Sequence, residues 1–231
     1  MGGSSFAKAR VVEKPESPVG NRVHPTAILG PFVEMGDDNT IGPYCTIMNG
    51  TRIGNGNYFE AHCSVGSPAE KHGFMRADDP VRVTQRVVIG DRNIIREFTT
   101  INAGTKGNTR MGNDCVMLRG SHLSHDSILE DKVTVSCNVL IGGESHIMQG
   151  ANLGLGCILH QYSVVGSWAM VGMGAVCTKS LVIFPCETYA GNPARWLKRN
   201  RVGMDRFKVT NALRQSELDR HDGLRAGLRK P

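Results

Sequence analysis

From Met111 to Cys177 the chain reads MGNDCVMLRGSHLSHDSILEDKVTVSCNVLIGGESHIMQGANLGLGCILHQYSVVGSWAMVGMGAVC, and counting along it decides the fold. An apolar residue recurs every six positions: Met111, Met117, Leu123, Leu129, Val135, Ile141, Ile147, Leu153, Leu159, Val165, Val171 and Cys177. Four positions after most of these stands a small residue, among them Cys115, Ser121, Ser127, Ala151, Cys157, Ser163, Ala169 and Ala175. An amphipathic helix repeats its apolar face about every 3.6 residues and cannot produce a period of six. A triangular coil can. Each six residues form one side with a short strand, about 18 complete a circuit, and circuits stack about 4.8 Å apart through parallel backbone hydrogen bonds. The period therefore predicts an all-β solenoid, a parallel β-helix of hexapeptide repeats whose apolar positions form buried columns.

The same count runs upstream through Val23, Leu29, Met35, Ile41, Ile47, Ile53, Phe59 and Val65, and then through Ile89, Ile95 and Ile101. Solenoids take insertions as loops pushed out at a corner, so 67–88 and 104–110 are predicted loops, the longer one overhanging a binding site. After Cys177 the pattern is read as ending, with Pro185 to Asn192 (PCETYAGN) as a turn-rich exit. Phe207, Ala212, Leu213, Leu218, Leu224 and Leu228 among charged residues then predict one or two amphipathic helices. The organisation expected is a disordered leader over 1–20, the coil over 21–185 and a partly helical extension over 186–231.

Composition narrows the function classes. Seven cysteines with no C-x-x-C pair argue against a disulfide framework or zinc knuckle, and several fall at the small interior positions of the repeat. No apolar stretch approaches the roughly 20 residues of a membrane span, and the first residues lack a secretory pattern, so a cytoplasmic protein with no integral membrane segment is expected. The net charge of +6 is concentrated in Arg195–Lys230, which holds eleven Lys or Arg against four Asp or Glu. Such a tail suits an acidic partner; with no recognised nucleic-acid motif, nucleic acid is not the expected one.

An 18-residue circuit places residues 18 apart above one another. His125, Gly143 and Gln161 form one such column: a base, a bare backbone N–H for a developing oxyanion, and a substrate-holding amide. Asp126, Glu144 and Tyr162 form the next, with Asp126 placed to orient the His125 ring. Stacked carboxylates at 126 and 144 are expected to raise one pKa and to attract an amino group. A zinc site drawing on His62, His122, His125, His146 or His160, as in a carbonic anhydrase class built on the same coil, is the competing reading. It leaves Asp126 and the Gly143–Gln161 column without purpose, so acyl transfer with no metal is preferred.

The segments HPTAILG, IGDRNIIRE followed by TTIN, SHLSHD, HQYSVVG, AMVG and NRVGMDR resemble the acyl-carrier-protein:UDP-N-acetylglucosamine O-acyltransferases of lipid A synthesis, over about Val23 to Phe207. The resemblance implies a left-handed coil, a homotrimer, and no cofactor beyond an acyl-carrier-protein or acyl-CoA co-substrate. It implies His125 as general base, Asp126 as its support and the Gly143 amide as oxyanion donor. It also implies active-site roles for His122, His160 and Gln161 and nucleotide contacts from Asn200 and Arg206. There are departures. The family's Gln-Asp pair in the long loop is replaced, with Glu70 and Lys71 as substitutes, and Glu144 stands where histidine is usual, which points to a UDP-amino sugar with a 3-hydroxyl or 3-amine as acceptor. Met173, with Met170, occupies the acyl-chain pocket where a glycine is frequent, implying shorter acyl donors. The AGNPAR stretch also resembles CoA-using members of the coil class, so an acetyl-CoA-dependent sugar acetyltransferase and a non-catalytic trimeric scaffold are the alternatives.

Overall fold

In the computed structural model, which describes residues 20–48, 50–74 and 86–228, most six-residue units contribute one two-residue strand and one corner. The strands stack into three sheets of ten, eight and seven members, here I, II and III. The whole is a left-handed parallel β-helix of about nine turns with a short C-terminal helical piece. Around the site, sheet I carries Val116–Met117, Thr134–Val135 and Asn152–Leu153; sheet II carries His122–Leu123, Leu140–Ile141 and Ile158–Leu159; sheet III carries Ile128–Leu129 and His146–Ile147. The register is the expected 18, as in His122 beside Leu140 beside Ile158. It lengthens to 36 across the long insertion (Tyr58 beside Ile94) and to 22 across the short one (Ile94 beside Val116).

The second residue of nearly every strand points inward. Ile41, Ile47, Phe59, Val65, Ile95, Ile101, Leu123, Ile141 and Leu153 are all at most 1% exposed. Burying each such side chain contributes about 1.5–3 kcal/mol. The small positions Cys45, Cys63, Cys115, Ala151 and Ala175 fill the corners beside them. Burial pushes the thiols of Cys115, Cys157 and Cys177 up to about 12, so they stay protonated and inert. The columns are not buried throughout: Val23 and Leu29 are each 39% exposed, because no coil lies beneath them among the described residues. The early corners between sheets III and I are held by stacked amides, with Asn39, Asn57 and Asn93 donating in turn to Asn21, Asn39 and Asn57 at 2.9–3.1 Å. Each buried amide is thereby satisfied by the next turn.

The end of the coil differs from expectation. Glu187–Ala190, within the stretch read as a turn-rich exit, is a strand that continues sheet I in parallel with Met170–Val171. The chain then reverses as Arg195–Arg199, antiparallel to it. The six-residue spacing in fact persists through Ile183 and Tyr189, both buried, but Pro185 and Cys186 at the intervening corner hide it. Two helices follow, α1 (Arg201–Arg206) and α2 (Asn211–Leu228). The second docks on sheet III through Arg220, which forks onto Glu130 at 2.6 and 2.9 Å while His146 Nε2 holds the same carboxylate at 2.6 Å. The leader expected over 1–20 lies outside the described residues except for Gly20, as does the part of the long loop at 75–85.

Candidate active site

The corner between sheets II and III carries the chemistry. Three successive turns place Asp126, Glu144 and Tyr162 at its apex with φ of 59°, 57° and 64°, a left-handed conformation that costs an L-residue about 1 kcal/mol or more. That conformation is what turns each side chain toward the corner rather than into a sheet. His125, one residue earlier, is 8% exposed. Its Nδ1 lies 2.8 Å from Asp126 Oδ2.

Asp126 is fixed from below by the short insertion. The backbone N–H groups of Thr105, Lys106 and Gly107 all donate to its Oδ1 at 2.8–2.9 Å, and Thr105 Oγ1 donates to Oδ2 at 2.8 Å. Thr109 Oγ1 accepts the Asp126 N–H. Gly104 is required for this wrap, since a Cβ there would overlap the Gly107 carbonyl oxygen. Burial alone would raise the Asp126 carboxyl, but the hydrogen bonds from His125, Gly107, Lys106 and Thr105 outweigh it and hold the group well below the usual carboxylate range. Asp126 is therefore not the one of the two stacked carboxylates that is raised. An ionised acceptor at Nδ1 assigns the proton to that nitrogen and leaves the Nε2 lone pair free.

Nε2 faces Gly143. A Cβ built on Gly143 would stand 2.7 Å from Nε2 and 2.8 Å from Cε1, so only glycine leaves the ring its place. The neighbouring amides are used by the coil, Gly142 N–H on Leu159 O and Glu144 N–H on His125 O, whereas no backbone acceptor among the described residues takes the Gly143 N–H. The His125 ring and a free amide donor are thus adjacent, as an 18-residue circuit requires.

Around them, His122 Nδ1 bonds Thr100 Oγ1 at 2.7 Å, and its Nε2 lies 3.3 Å from Glu70 Oε2, an ion-pair distance without hydrogen-bond geometry. Burial is the main influence on His122 and pushes its imidazole down against the pull of Glu70. Lys71 Nζ reaches Thr105 Oγ1 at 3.4 Å. The described start of the long loop therefore does lie over this corner. An open groove of about 360 Å³ runs along sheet II, lined by Glu70, His122, Ser124, Leu140, Gly142 and Ile158. Leu140 and Ile158 are 45% and 42% exposed on its floor, an apolar surface beside the dyad.

The bacterial transferase hexapeptide (six repeats) profile matches residues 32–67. The acyl-[acyl-carrier-protein]–UDP-N-acetylglucosamine O-acyltransferase of Stutzerimonas stutzeri is 32% identical over 205 residues, covering 80% of this chain and 76% of the relative. That of Janthinobacterium sp. is 33% identical, with 80% and 75% covered. The chain belongs to this O-acyltransferase family. Solved structures agree: the UDP-N-acetylglucosamine acyltransferase of Francisella novicida superposes with a TM-score of 0.73 at 25% identity, covering 84% of this chain and 77% of that one. The UDP-N-acetylglucosamine O-acyltransferase of Moraxella catarrhalis gives 0.66 at 26%, with 85% and 82% covered.

Within this acyltransferase, the remaining expected site residues fall in several places. His160 and Gln161 are exposed at the same corner, His160 Nδ1 donating to the Gln161 carbonyl at 2.8 Å. Asn200 caps α1 instead of lying at that corner: its Oδ1 accepts from Gly203 N–H and its Nδ2 donates to Trp168 O, at the corner between sheets III and I. Arg206 is exposed in the last turn of α1. Met173 is 72% exposed at the corner between sheets I and II, outside the lining of the groove, while Met170 projects from sheet I. Of the histidines of the zinc reading, His122, His125 and His160 lie at or beside the corner between sheets II and III and the other two lie elsewhere. His62 is stacked between Tyr44 and Phe98, His146 bonds Glu130, and no cluster of three or more metal-ligating side chains occurs among the described residues. No described helix is long and apolar enough to cross a membrane. Thr105, Lys106 and Gly107 were not singled out from the sequence. The signal was there: a Gly-flanked insertion falls at the corner one turn beneath Asp126.

Proposed function

We propose that this acyltransferase moves an acyl group from an acyl-carrier-protein thioester to the 3-hydroxyl of a UDP-N-acetylglucosamine-type sugar, with His125 as general base. The observation that carries the reading is the His125–Asp126 pair with its free Nε2 set against the Gly143 amide. His125 Nε2 takes the hydroxyl proton as the sugar oxygen bonds the thioester carbonyl carbon, and the resulting oxyanion is received by the Gly143 N–H. The C–S bond then breaks and the imidazolium returns the proton to the departing thiolate. The relatives' names supply carrier-protein donor and UDP-N-acetylglucosamine acceptor.

A hydroxyl acceptor is favoured over an amine because Glu144, which was expected to draw an amino group, already holds Lys106 Nζ at 2.9 Å. Leu140 and Ile158 offer the acyl chain an apolar floor, and Met173 shortens it. The enzyme works as a homotrimer in the cytoplasm without a metal or other cofactor. Asn200 and Arg206 serve the nucleotide in the assembled enzyme, and His122, His160 and Gln161 line the sugar.

The test is mass spectrometry of products from acyl-carrier-protein and acyl-CoA donors offered together with UDP-N-acetylglucosamine and its 3-amino analogue, for wild type and H125A. Ester product from the carrier donor, lost by about 10²-fold or more in a folded H125A, is expected. Product from acetyl-CoA alone would establish the acetyltransferase alternative, and binding without turnover the scaffold.

A further inference from the structure

The short insertion does more than grip Asp126. Among the described residues, Lys106 is the one joined to both carboxylates of the corner. Its backbone N–H donates to Asp126 Oδ1 at 2.9 Å, and its Nζ donates to Glu144 Oε1 and Oε2 at 3.1 and 2.9 Å. Tyr162 O–H completes the set, donating to Glu144 Oε1 at 3.1 Å from the next turn. The Glu144 side chain is only 15% exposed. Glu144 follows Gly143 directly in the chain, and its N–H is bonded to the His125 carbonyl. A bare carboxylate there would add a second negative charge beside an imidazole already paired with one.

We propose that Lys106 is a positioning residue that sets the pH range in which His125 accepts a proton, by balancing the charge of Glu144. The proposal rests on His125 being the base. Among the described residues, the charged and titratable groups around His125 are Asp126 on its Nδ1, His122 from the adjoining strand with Glu70 opposite it, Lys71 beyond Thr105, and the Lys106–Glu144–Tyr162 set above. With Lys106 present, Asp126 is the carboxylate that the ring experiences uncompensated. Without it, Glu144 joins Asp126, and the protonated imidazolium, which is inactive as a base, persists to higher pH. The Lys106 side chain is 63% exposed, so water screens much of the effect, leaving a shift of about half a pH unit.

The experiment is the pH dependence of kcat/KM, with carrier-protein donor and UDP-N-acetylglucosamine, for wild type, K106M, K106R, E144Q and K106M/E144Q. The acidic limb should move up by about 0.5 unit in K106M and down by a similar amount in E144Q, where an uncompensated cation remains. It should return to the wild-type position in the double variant and in K106R. The K106M displacement should shrink as salt is raised. A merely structural lysine would lower activity equally at all pH. An unmoved limb in K106M, or one displaced equally in the double variant, overturns the proposal. If K106M does not fold, a limb that stays put in E144Q overturns it alone. Full activity in H125A would instead remove the base assignment, so the two failures are distinguishable.

Discussion

Replacing Gly143 by alanine isolates the geometry on which the mechanism depends. The backbone of Gly143 is not in the left-handed region, so alanine is tolerated there, and the smaller unfolded-state entropy would add about 0.4–1 kcal/mol to stability if space allowed. Space does not allow it. The new methyl carbon would stand 2.7 Å from His125 Nε2, against 3.4 Å for ordinary contact, so the ring must retreat by about 0.7 Å. The retreat is opposed at the other nitrogen by Asp126 at 2.8 Å, itself gripped by three amides, so the strain falls on the pair. A displacement near 1 Å in a reacting group costs about 10²-fold in rate. G143A should therefore lose about 10²-fold in kcat, with a thermal midpoint within a few degrees of wild type. Initial rates of free thiol release from the acyl carrier protein, beside a melting curve, measure both. A G143A enzyme within threefold of wild-type kcat would show that the ring is not poised against this amide, and the proposed mechanism would fail.

Asp126→Asn should lower kcat by about 10³-fold or more: its carbonyl stays with the three loop amides and its NH₂ faces His125 Nδ1, forcing the proton onto Nε2. A pH-rate profile with undiminished kcat would contradict this. Met173→Gly should raise the ratio of activity on fourteen-carbon over ten-carbon donors by about tenfold, whereas wild type prefers the shorter; an unchanged ratio removes Met173 from chain selection. Acidification should loosen α2 from sheet III. His221, fully buried, has its imidazole pushed down chiefly by burial, so the stability it contributes is full above its ordinary 6.5 and declines as pH falls below that. Burial would raise Glu130, but His146 and Arg220 hold its carboxyl at about 2, so its contribution is full above about 4.5 and lost between there and about 2. Hydrogen exchange of α2 amides against pH follows both steps, E130Q should remove the lower one, and flat protection down to pH 3 would refute the assignment.

Much of the site was legible because register converts sequence distance into contact. His125, Gly143 and the Asp126–Glu144–Tyr162 column met as an 18-residue circuit requires. The insertions were less readable. A loop of four extra residues has no period, so nothing in it announced that Thr105, Lys106 and Gly107 would close on Asp126, or that Lys106 would occupy Glu144. Asn200 shows another limit: its capping of α1 within the chain could not be read from the repeat, because it depends on where α1 begins.

The six-residue apolar period, with small residues between, by itself determined the coil, its three sheets and the stacking of its columns, because a triangular path buries one apolar and one small residue in every six. Charge at the corner was decided only by the tertiary structure. Whether Glu144 stands bare or paired depends on which outward loop folds back over it, and a loop's direction is set by its own hydrogen bonds with the finished coil.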